Sequence, residues 1–422
     1  RWYLSGILGW APKGLDMSSI AASRTNYHHK TSCNVATFAG HGPIRLEAAG
    51  MNDVPLTGDK LEAAKKLLQE SLEQGAAGFA TGLSYYPNSW SDTDELCALM
   101  EVTGECDKPM SIHLRNHNGD RAFGGGGVPE AIEVARRTGT KLHFEHYRTF
   151  VNSAGNIDEL MEPIDKAKSE GVDITLETYP YPVGSSFPQA FFPGYFHEGG
   201  PEEMLKILND EDKRAELIDR MSEISYTPPE GNVWTHIGAG GENDYEGWMF
   251  EDVAKEWGIT VQEMMTRMMA ETSLACGMRV APPGNVRQWR QVEEDVMQLM
   301  ARPDYMVGSD SIPVGGMPHP RAYGCFVRML GRLRRRHNYP VEQVVQRMTQ
   351  NPAKRFGLAD RGVIAKGKFA DLVIFDEQNV IDRSSFEDPK MHPEGVPFVL
   401  VNGKFAVENE AVTGVLAGQA IP

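Results

Sequence analysis

The amino-acid sequence predicts an α/β fold, specifically a (β/α)8 barrel, from three observations. Short apolar or alternating runs recur along the 422 residues, and helix-like amphipathic stretches lie between them, which is the pattern of a parallel sheet with crossover helices. Polar residues concentrate directly after the predicted strands, as they do at the carboxyl-terminal face of such a barrel. No Gly-x-Gly-x-x-Gly motif follows a first strand, so a doubly wound dinucleotide-binding sheet is disfavoured.

Six segments are predicted to be strands because apolar and β-branched residues concentrate in each of them. These segments are residues 34–40, 77–81, 110–114, 141–146, 173–178 and 305–309. The amphipathic stretches between the first five segments predict helices at residues 60–73, 92–103, 128–138 and 157–170. Residues 1–360 are therefore assigned to the barrel.

Two other stretches differ from this alternation. Residues 187–231 contain an aromatic run and a charged helix, which predict an insertion or lid over the barrel mouth; a long surface excursion is the alternative. After residue 360, short apolar runs alternate with tight-turn residues. This pattern predicts a small β-sandwich module at residues 361–422.

The composition is that of an ordinary globular protein, with 41% hydrophobic and 24% charged residues. The net charge of −16 argues against nucleic acid as the main partner. No run of about 18 apolar residues occurs, so no membrane association is predicted. The five cysteines form no Cys-x-x-Cys pair and no signal peptide is recognisable, which favours a cytoplasmic location.

Asp310 and Arg321 are the most informative residues near the last predicted strand. Asp310 directly follows segment 305–309, and Arg321 comes eleven positions later. A carboxylate at the end of a buried strand can hold a divalent metal and accept a proton from metal-bound water. An arginine a few residues further on can bind a substrate carboxylate through its planar guanidinium. The pair therefore predicts a metal and substrate site.

Two histidines end consecutive predicted strands. His113 ends the run that starts at residue 110, and His146 ends the next one. Because imidazole suits zinc and a carboxylate can complete such a site, His113, His146 and Asp310 form a candidate set of metal ligands. A lone histidine is more often an inert, hydrogen-bonded residue, so the shared placement at strand ends carries the prediction.

Short motifs recur in a fixed order along nearly the whole chain, and the most specific ones lie in its C-terminal third. They are Asn34-Val35-Ala36, Gly40-His41-Gly42, Ala80-Thr81-Gly82-Leu83-Ser84-Tyr85, Asp92-Thr93-Asp94-Glu95-Leu96, Ile112-His113-Leu114-Arg115-Asn116, Asp173-Ile174-Thr175, Tyr179-Pro180-Tyr181, Gly308-Ser309-Asp310, His319-Pro320-Arg321, Asn351-Pro352-Ala353, Arg355-Phe356-Gly357-Leu358 and Gly367-Lys368-Phe369-Ala370-Asp371-Leu372-Val373. In this series the chain resembles the N-acyl-D-amino-acid deacylases (D-aminoacylases) of the metal-dependent amidohydrolase superfamily.

The resemblance implies a metal-dependent barrel with a β-sandwich and one or two divalent ions, with zinc as the first choice. His113 and His146, from the fifth and sixth barrel strands, would bind the tightly held metal. Asp310, from the eighth, would be the general base and a ligand of a second metal. The implied reaction is hydrolysis of a linear amide whose substrate bears a carboxylate.

The resemblance also implies how the substrate is held. Arg321 would bind its carboxylate, Ser185 would line the carboxylate pocket, and Tyr179 would help to polarise the scissile carbonyl. Arg148 stands where the family usually has lysine. Since arginine and lysine differ in shape and in hydrogen bonding, Arg148 is expected to affect the choice of substrate.

The chain also departs from the family pattern. The family has a His-x-His pair on its first strand and a metal-binding cysteine on its second, and neither is recognisable here. The six predicted strands correspond to strands three to eight. An incomplete parallel sheet has two unpaired edges, so a second chain supplying the His-x-His pair, and hence a hetero-oligomer, is expected. The first residue, Arg1, fits cleavage of a precursor.

Two alternative functions remain open. The chain could hydrolyse a cyclic amide, a urea or another amide without a D-amino acid, because Arg148 replaces lysine and residues 187–196 are rich in aromatics. It could instead be a non-catalytic scaffold subunit, which the missing ligands favour and the retained His113, His146 and Asp310 oppose.

Overall fold

Thirteen strands lie in the part of the chain that the computed structural model describes, which is residues 2–116, 119–221, 228–241 and 243–421. They are β1 Ala39–Gly40, β2 Phe79–Gly82, β3 Met110–His113, β4 Leu142–Phe144, β5 Ile174–Thr178, β6 Ser185–Ser186, β7 Asn232–Ile237, β8 Cys276–Val280, β9 Tyr305–Val307, β10 Leu372–Ile374, β11 Phe398–Val401, β12 Lys404–Glu408 and β13 Ala411–Val412.

Seventeen α-helices connect and cover these strands within the same described ranges. They are α1 Ser5–Leu8, α2 Ile20–Thr25, α3 His41–Ala49, α4 Gly58–Glu73, α5 Thr93–Glu105, α6 Gly127–Thr138, α7 Ile157–Ser169, α8 Gly194–His197, α9 Pro201–Asn209, α10 Glu211–Arg220, α11 Phe250–Trp257, α12 Val261–Glu271, α13 Val286–Ala301, α14 Arg321–Arg328, α15 Arg334–Arg336, α16 Val341–Met348 and α17 Gln350–Arg355. A π-helical stretch, Met329–Leu333, joins α14 to α15. None of the described helices is long and apolar enough to cross a membrane.

The central sheet is parallel and has the strand order β1-β2-β3-β4-β5-β9. These strands are the six segments that the sequence predicts, and α4 to α7 are the four predicted helices. The α/β class with a parallel sheet is thereby confirmed. Across the described residues, no pairing joins β1 to β9, so the sheet of this chain is open at both edges.

Strand β1 is shorter than its predicted segment of residues 34–40 because the start of that segment pairs elsewhere. Val35 forms an isolated parallel bridge with Ala420, and its backbone N–H donates to the Gln419 carbonyl at 2.9 Å. Only Ala39 and Gly40 pair with β2. The C-terminal segment thus takes over backbone hydrogen bonds that would otherwise extend the central sheet.

Residues 187–231, where the sequence predicts an insertion, contribute to a second apolar core. Helices α8, α9 and α10 lie in this segment, of which residues 222–227 fall outside the described residues. Their apolar residues pack with those of β7, β8, α11 and α12. Trp234 and Phe250 meet at its centre, with ring centroids 4.2 Å apart. The antiparallel sheet β6-β8-β7 belongs to the same layer, so the segment is packed on both sides.

The C-terminal strands β10 to β13 form one antiparallel sheet in sequence order. Asn34 ties this sheet to the main body, because its side-chain amide donates to Asp371 at 2.8 Å and its oxygen accepts from Asn402 at 2.7 Å. The strands predicted for residues 361–422 are therefore present as a four-stranded sheet.

A buried carboxylate, Glu95 of α5, joins three elements beneath the strand ends. It contacts Nε2 of His41 at 2.9 Å, accepts from the Arg45 guanidinium at 2.6 Å, and accepts from the Leu56 backbone N–H at 2.8 Å. His41 in turn contacts the Thr81 hydroxyl at 2.8 Å. Glu95, His41 and Arg45 have no exposed side-chain surface. Removing one of these three side chains would therefore leave buried side chains without one of their hydrogen-bonding or charged partners.

We expect Glu95→Ala to lower the free energy of unfolding by about 3–5 kcal/mol, the usual cost of stranding a buried charge. Urea unfolding followed by circular dichroism measures this change. Glu203→Ala is the matched control, since its ion pair with Lys206 is largely exposed and should contribute only about 0–1 kcal/mol. Equal losses in the two variants would contradict the role assigned to Glu95.

Candidate active site

The parallel register of the central sheet brings the candidate residues to one edge. Ser111, His143 and Thr175 are in register on β3, β4 and β5. Side chains two residues apart on a strand point to the same face, so His113 and Glu177 extend this face towards the carboxyl ends. Parallel strands end on the same side, which places the residues after β4 and β9 beside them.

His113 and His146 meet directly at this edge. Nδ1 of His113 lies 2.8 Å from Nε2 of His146, and the ring centroids are 4.7 Å apart. Burial lowers the pKa of His146 to about 4, so this imidazole is neutral, as a metal ligand must be. On its other side, the His113 ring packs against Tyr85 at 4.9 Å between centroids.

The backbone at two of the predicted site residues is left-handed. His146 has a φ of 36° and Asp310 has a φ of 46°, a region that non-glycine residues rarely occupy. Each residue comes just after a strand of the central sheet. The turn ends the strand and redirects the side chain, and such conformations persist only where surrounding contacts hold them.

Two further acids, Glu145 and Glu177, lie beneath the histidines. The Ser111 hydroxyl donates to Glu145 at 2.6 Å, and burial raises the pKa of Glu145 to about 8. Glu177 approaches Nε2 of His143 at 3.7 Å. It also packs against Gly308, where an added Cβ would come within 2.2 Å of a carboxylate oxygen, so a larger residue there would displace the Glu177 carboxylate.

Asp310 and Arg321 form an ion pair. Oδ2 of Asp310 is 2.7 Å from Nη1 of Arg321, and the aspartate side chain keeps 35% of its surface exposed while the arginine side chain is fully buried. Burial among neighbouring protein atoms raises the pKa of Asp310, whereas the charges of Arg321 and His113 act in the opposite direction. The carboxylate thus lies between the predicted metal ligands and the predicted substrate-binding cation.

Tyr179 is enclosed by two arginines. The Arg148 guanidinium carbon lies 4.5 Å from the centroid of the Tyr179 ring, and that of Arg321 lies 4.6 Å from it. Both arginines are almost fully buried. Among the described residues, Nε and Nη2 of Arg148 and Nε of Arg321 have no hydrogen-bond acceptor. Buried cations with free donors favour an anion as their missing partner.

Ser185 lies beside this arginine pair through its backbone. Its carbonyl accepts a long hydrogen bond of 3.4 Å from Nη2 of Arg321, while its hydroxyl donates to the Met278 carbonyl at 2.7 Å. His319 supports Arg321 from the other side, because its Nδ1 accepts the Arg321 backbone N–H at 3.0 Å. The seven predicted site residues thus form two groups. His113 and His146 contact each other, and the other five are joined through Arg321 and Tyr179; the charge of His113 acts on Asp310 between the groups.

The predicted ligands His113, His146 and Asp310 match the requirements of a divalent metal only in part. Two adjacent imidazoles near a carboxylate have the chemistry that zinc prefers. In the described ranges, however, no three His, Cys, Asp or Glu side chains are grouped closely enough to hold an ion. Asp310 instead pairs with Arg321. His113 and His146 are thus the residues that could hold a metal, with Asp310 as a third ligand only after it turns.

The sequence predictions missed Glu145, Glu177 and the support given by His319. A signal for the two acids was present, because each lies two residues after an inward-facing residue of a predicted strand, His143 or Thr175. Their contacts could not be predicted, since these depend on the register between strands.

Comparisons with known proteins show which proteins this chain resembles. The model of the Amidohydrolase family matches residues 255–407. An N-acyl-D-glutamate deacylase of Alcaligenes xylosoxydans xylosoxydans is 32% identical over 399 residues, which cover 94% of this chain and 71% of that protein. A D-aminoacylase of the same organism is 28% identical, over 92% of this chain and 70% of that protein.

Solved structures show the same fold. The N-acyl-D-glutamate deacylase from Bordetella bronchiseptica, complexed with zinc and a phosphonate inhibitor that mimics the tetrahedral intermediate, superposes with a TM-score of 0.78 and 28% identity, over 99% of this chain and 77% of that one. A D-aminoacylase crystal structure gives a TM-score of 0.75 at 24% identity, over 98% of this chain and 79% of that one.

These matches bear on two expectations. Each relative aligns with almost all of this chain, which gives no support to a separate N-terminal chain or a hetero-oligomer. The order of motifs, the parallel sheet and the identity over nearly the whole chain agree on one family. The chain belongs to the N-acyl-D-amino-acid deacylase (D-aminoacylase) family of metal-dependent amidohydrolases, which hydrolyse amide bonds.

Proposed function

We propose that this chain hydrolyses a linear amide of a carboxylate-bearing, N-acyl amino acid-like substrate. The observation that carries the proposal is the Asp310–Arg321 ion pair of 2.7 Å, placed beside the two imidazoles. This arrangement supports the proposal, because Asp310 could accept a proton, Arg321 could bind a carboxylate and the two imidazoles could bind a metal.

His113 and His146 would hold the divalent metal, with zinc as the first choice, and Asp310 would be a further ligand or would face a second ion. When bound, the metal would polarise the scissile carbonyl and make water a better nucleophile at neutral pH. The burial that lowers the pKa of His146 keeps it neutral, so it needs to lose no proton before binding a cation.

Asp310 would act as the general base. Its partly exposed carboxylate would accept a proton from the attacking water and return it to the leaving amine nitrogen. A substrate carboxylate that binds Arg321 would compete with Asp310 for that guanidinium. Substrate binding would thereby loosen the ion pair and leave the aspartate available for proton transfer.

Arg321 and Arg148 would hold the substrate carboxylate over Tyr179. Both guanidiniums lie against the Tyr179 ring and have unused donors. The Tyr179 hydroxyl would help to polarise the scissile carbonyl, and Ser185 would line the carboxylate pocket mainly through its backbone, because its hydroxyl is engaged with Met278. Arg148 offers a planar fork where lysine would offer a point charge, which favours a planar anion.

We also propose that the six-stranded sheet is part of an eight-stranded barrel. Its parallel order and its open edges at β1 and β9 support this view, since buried parallel sheets rarely end unpaired. The four-stranded C-terminal sheet would likewise be one layer of a β-sandwich. Val373 and Ile374 are about half exposed on it, which is unusual for an outer face.

We expect His113→Ala to weaken zinc binding by the purified full chain at least about 100-fold, because one of two adjacent nitrogen donors is lost. Competition with a chromophoric chelator measures the affinity without any substrate. His28→Ala is the matched control, since His28 is exposed and distant in sequence from the strand ends. Zinc affinity unchanged by His113→Ala would refute the ligand assignment.

We expect Arg321→Ala to raise KM for N-acyl-D-glutamate about 10- to 100-fold, the usual cost of a lost charge-assisted hydrogen bond. Steady-state kinetics measure it, and the corresponding substrate with its carboxylates amidated serves as the control because it should lose far less. A KM that stays at the wild-type value would show that Arg321 does not bind the carboxylate. Faster hydrolysis of a cyclic amide than of either linear substrate would favour the alternative substrate class.

A further inference from the structure

A carboxylate that lies outside the central sheet, that of Glu246, contacts the middle of the loop between Asp310 and Arg321. The backbone N–H of Gly316 donates to Oε2 of Glu246 at 2.5 Å, and that of Ile237 on β7 donates to Oε1 at 2.8 Å. One side chain therefore joins this loop to the antiparallel sheet. The loop, residues 311–320, connects the proposed general base to the proposed substrate-binding arginine.

The backbone of the loop also lies directly against β7. The Met317 N–H donates to the Thr235 carbonyl at 3.2 Å. A Cβ at Gly315, whose φ is 89°, would come within 2.1 Å of that same carbonyl oxygen, and one at Gly316 would come within 2.4 Å of Glu246 Oε2. These glycines permit a contact that any larger residue would push apart.

The surroundings of Glu246 favour the ionised carboxylate, which can accept the hydrogen bonds from Gly316 and Ile237. Its side chain is 15% exposed, and Nδ1 of His236 lies 3.6 Å from Oε1. Burial works against its ionisation, but the nearby His236 and the N–H groups of Ile237 and Gly316 outweigh that effect and lower the pKa of Glu246. The carboxylate can therefore accept from both backbone amides at once, which a neutral amide side chain could do at only one oxygen.

The two ends of the loop differ in how firmly they are otherwise held. Arg321 opens helix α14, is buried, and has its backbone N–H bonded to His319. Asp310 is partly exposed and has a left-handed backbone. A strained conformation relaxes when its neighbours stop holding it, so release of the loop would disturb Asp310 more than Arg321.

We propose that Glu246 is a positioning residue for the hydrolytic reaction, which holds loop 311–320 and through it the orientation of Asp310. This inference rests on the proposed function, because it concerns the same reaction. It extends that function to a residue that lies 64 positions before Asp310 in the chain. Its effect should fall on the proton-transfer step and therefore on kcat, unlike the effect of Arg321.

The test compares Glu246→Ala and Glu246→Gln with Glu251→Ala in the full chain. Glu251 is the matched control, because it also accepts a backbone N–H, that of Gly231 at 2.8 Å, but it does not bond the loop. Amide hydrogen exchange of a peptide spanning residues 311–317 reports on the loop without any substrate. Steady-state kinetics with N-acyl-D-glutamate then separate kcat from KM.

We expect Glu246→Ala to speed exchange in this peptide about tenfold and to lower kcat about 10- to 100-fold, with KM changed less than about threefold. Glu246→Gln keeps the volume and one acceptor, so it should lie between wild type and Glu246→Ala and decides the matter if the alanine variant does not fold. Glu251→Ala should match the wild-type protein in both measurements.

Four results would overturn the inference. Exchange in residues 311–317 that does not rise in either Glu246 variant would show that the carboxylate does not hold the loop. Faster amide exchange in the loop with an unchanged kcat would show that Glu246 does not position the catalytic group. An equal loss of kcat in Glu251→Ala would show the same. If the zinc-loaded wild-type protein hydrolyses no N-acyl amino acid, the proposed function fails and the positioning role fails with it, while the exchange measurement still decides the loop contact.

Discussion

The parallel register of the central sheet is the constraint on which the site depends. Because Ser111, His143 and Thr175 are register partners on β3, β4 and β5, residues that are 32 positions apart in the sequence reach the same height on neighbouring strands. His113 and His146 can touch there only if neither strand slips by one residue, since a slip of that size turns every side chain to the other face. The proposed metal site thus depends on the pairing of the backbone strands.

The charged side chains divide the carboxyl-terminal edge of the central sheet into an acidic region and a cationic region. On one side, the buried acids Glu145 and Glu177 lie beneath the two histidines. On the other, Arg148 and Arg321 enclose Tyr179. Asp310 lies at the boundary and contacts the cationic side. A substrate that carries an amide next to a carboxylate would place its carboxylate on the cationic side, so its orientation would follow from the field of the protein.

The sequence was sufficient where local pattern decides structure. The six central strands and helices α4 to α7 were predictable because each is a periodic segment bounded by turn residues. His113, His146 and Asp310 could be named as candidates because they follow those strands, whereas Tyr179, Ser185 and Arg148 were suggested only by the resemblance. The sequence was insufficient where a structure depends on contacts between segments that are far apart in the chain. Val35 leaves the central sheet to pair with Ala420, and Glu246 reaches Gly316 across 70 residues. No periodicity in either segment encodes such a contact.

The buried donors of Arg148 and Arg321 that have no acceptor among the described residues have a consequence for stability. Desolvation of a buried guanidinium raises the free energy of the folded state, and the contact with the Tyr179 ring offsets part of that cost. A carboxylate that bound between the two guanidiniums would supply acceptors for these donors, so an acidic ligand would protect the fold against heat as well as occupy the proposed substrate site.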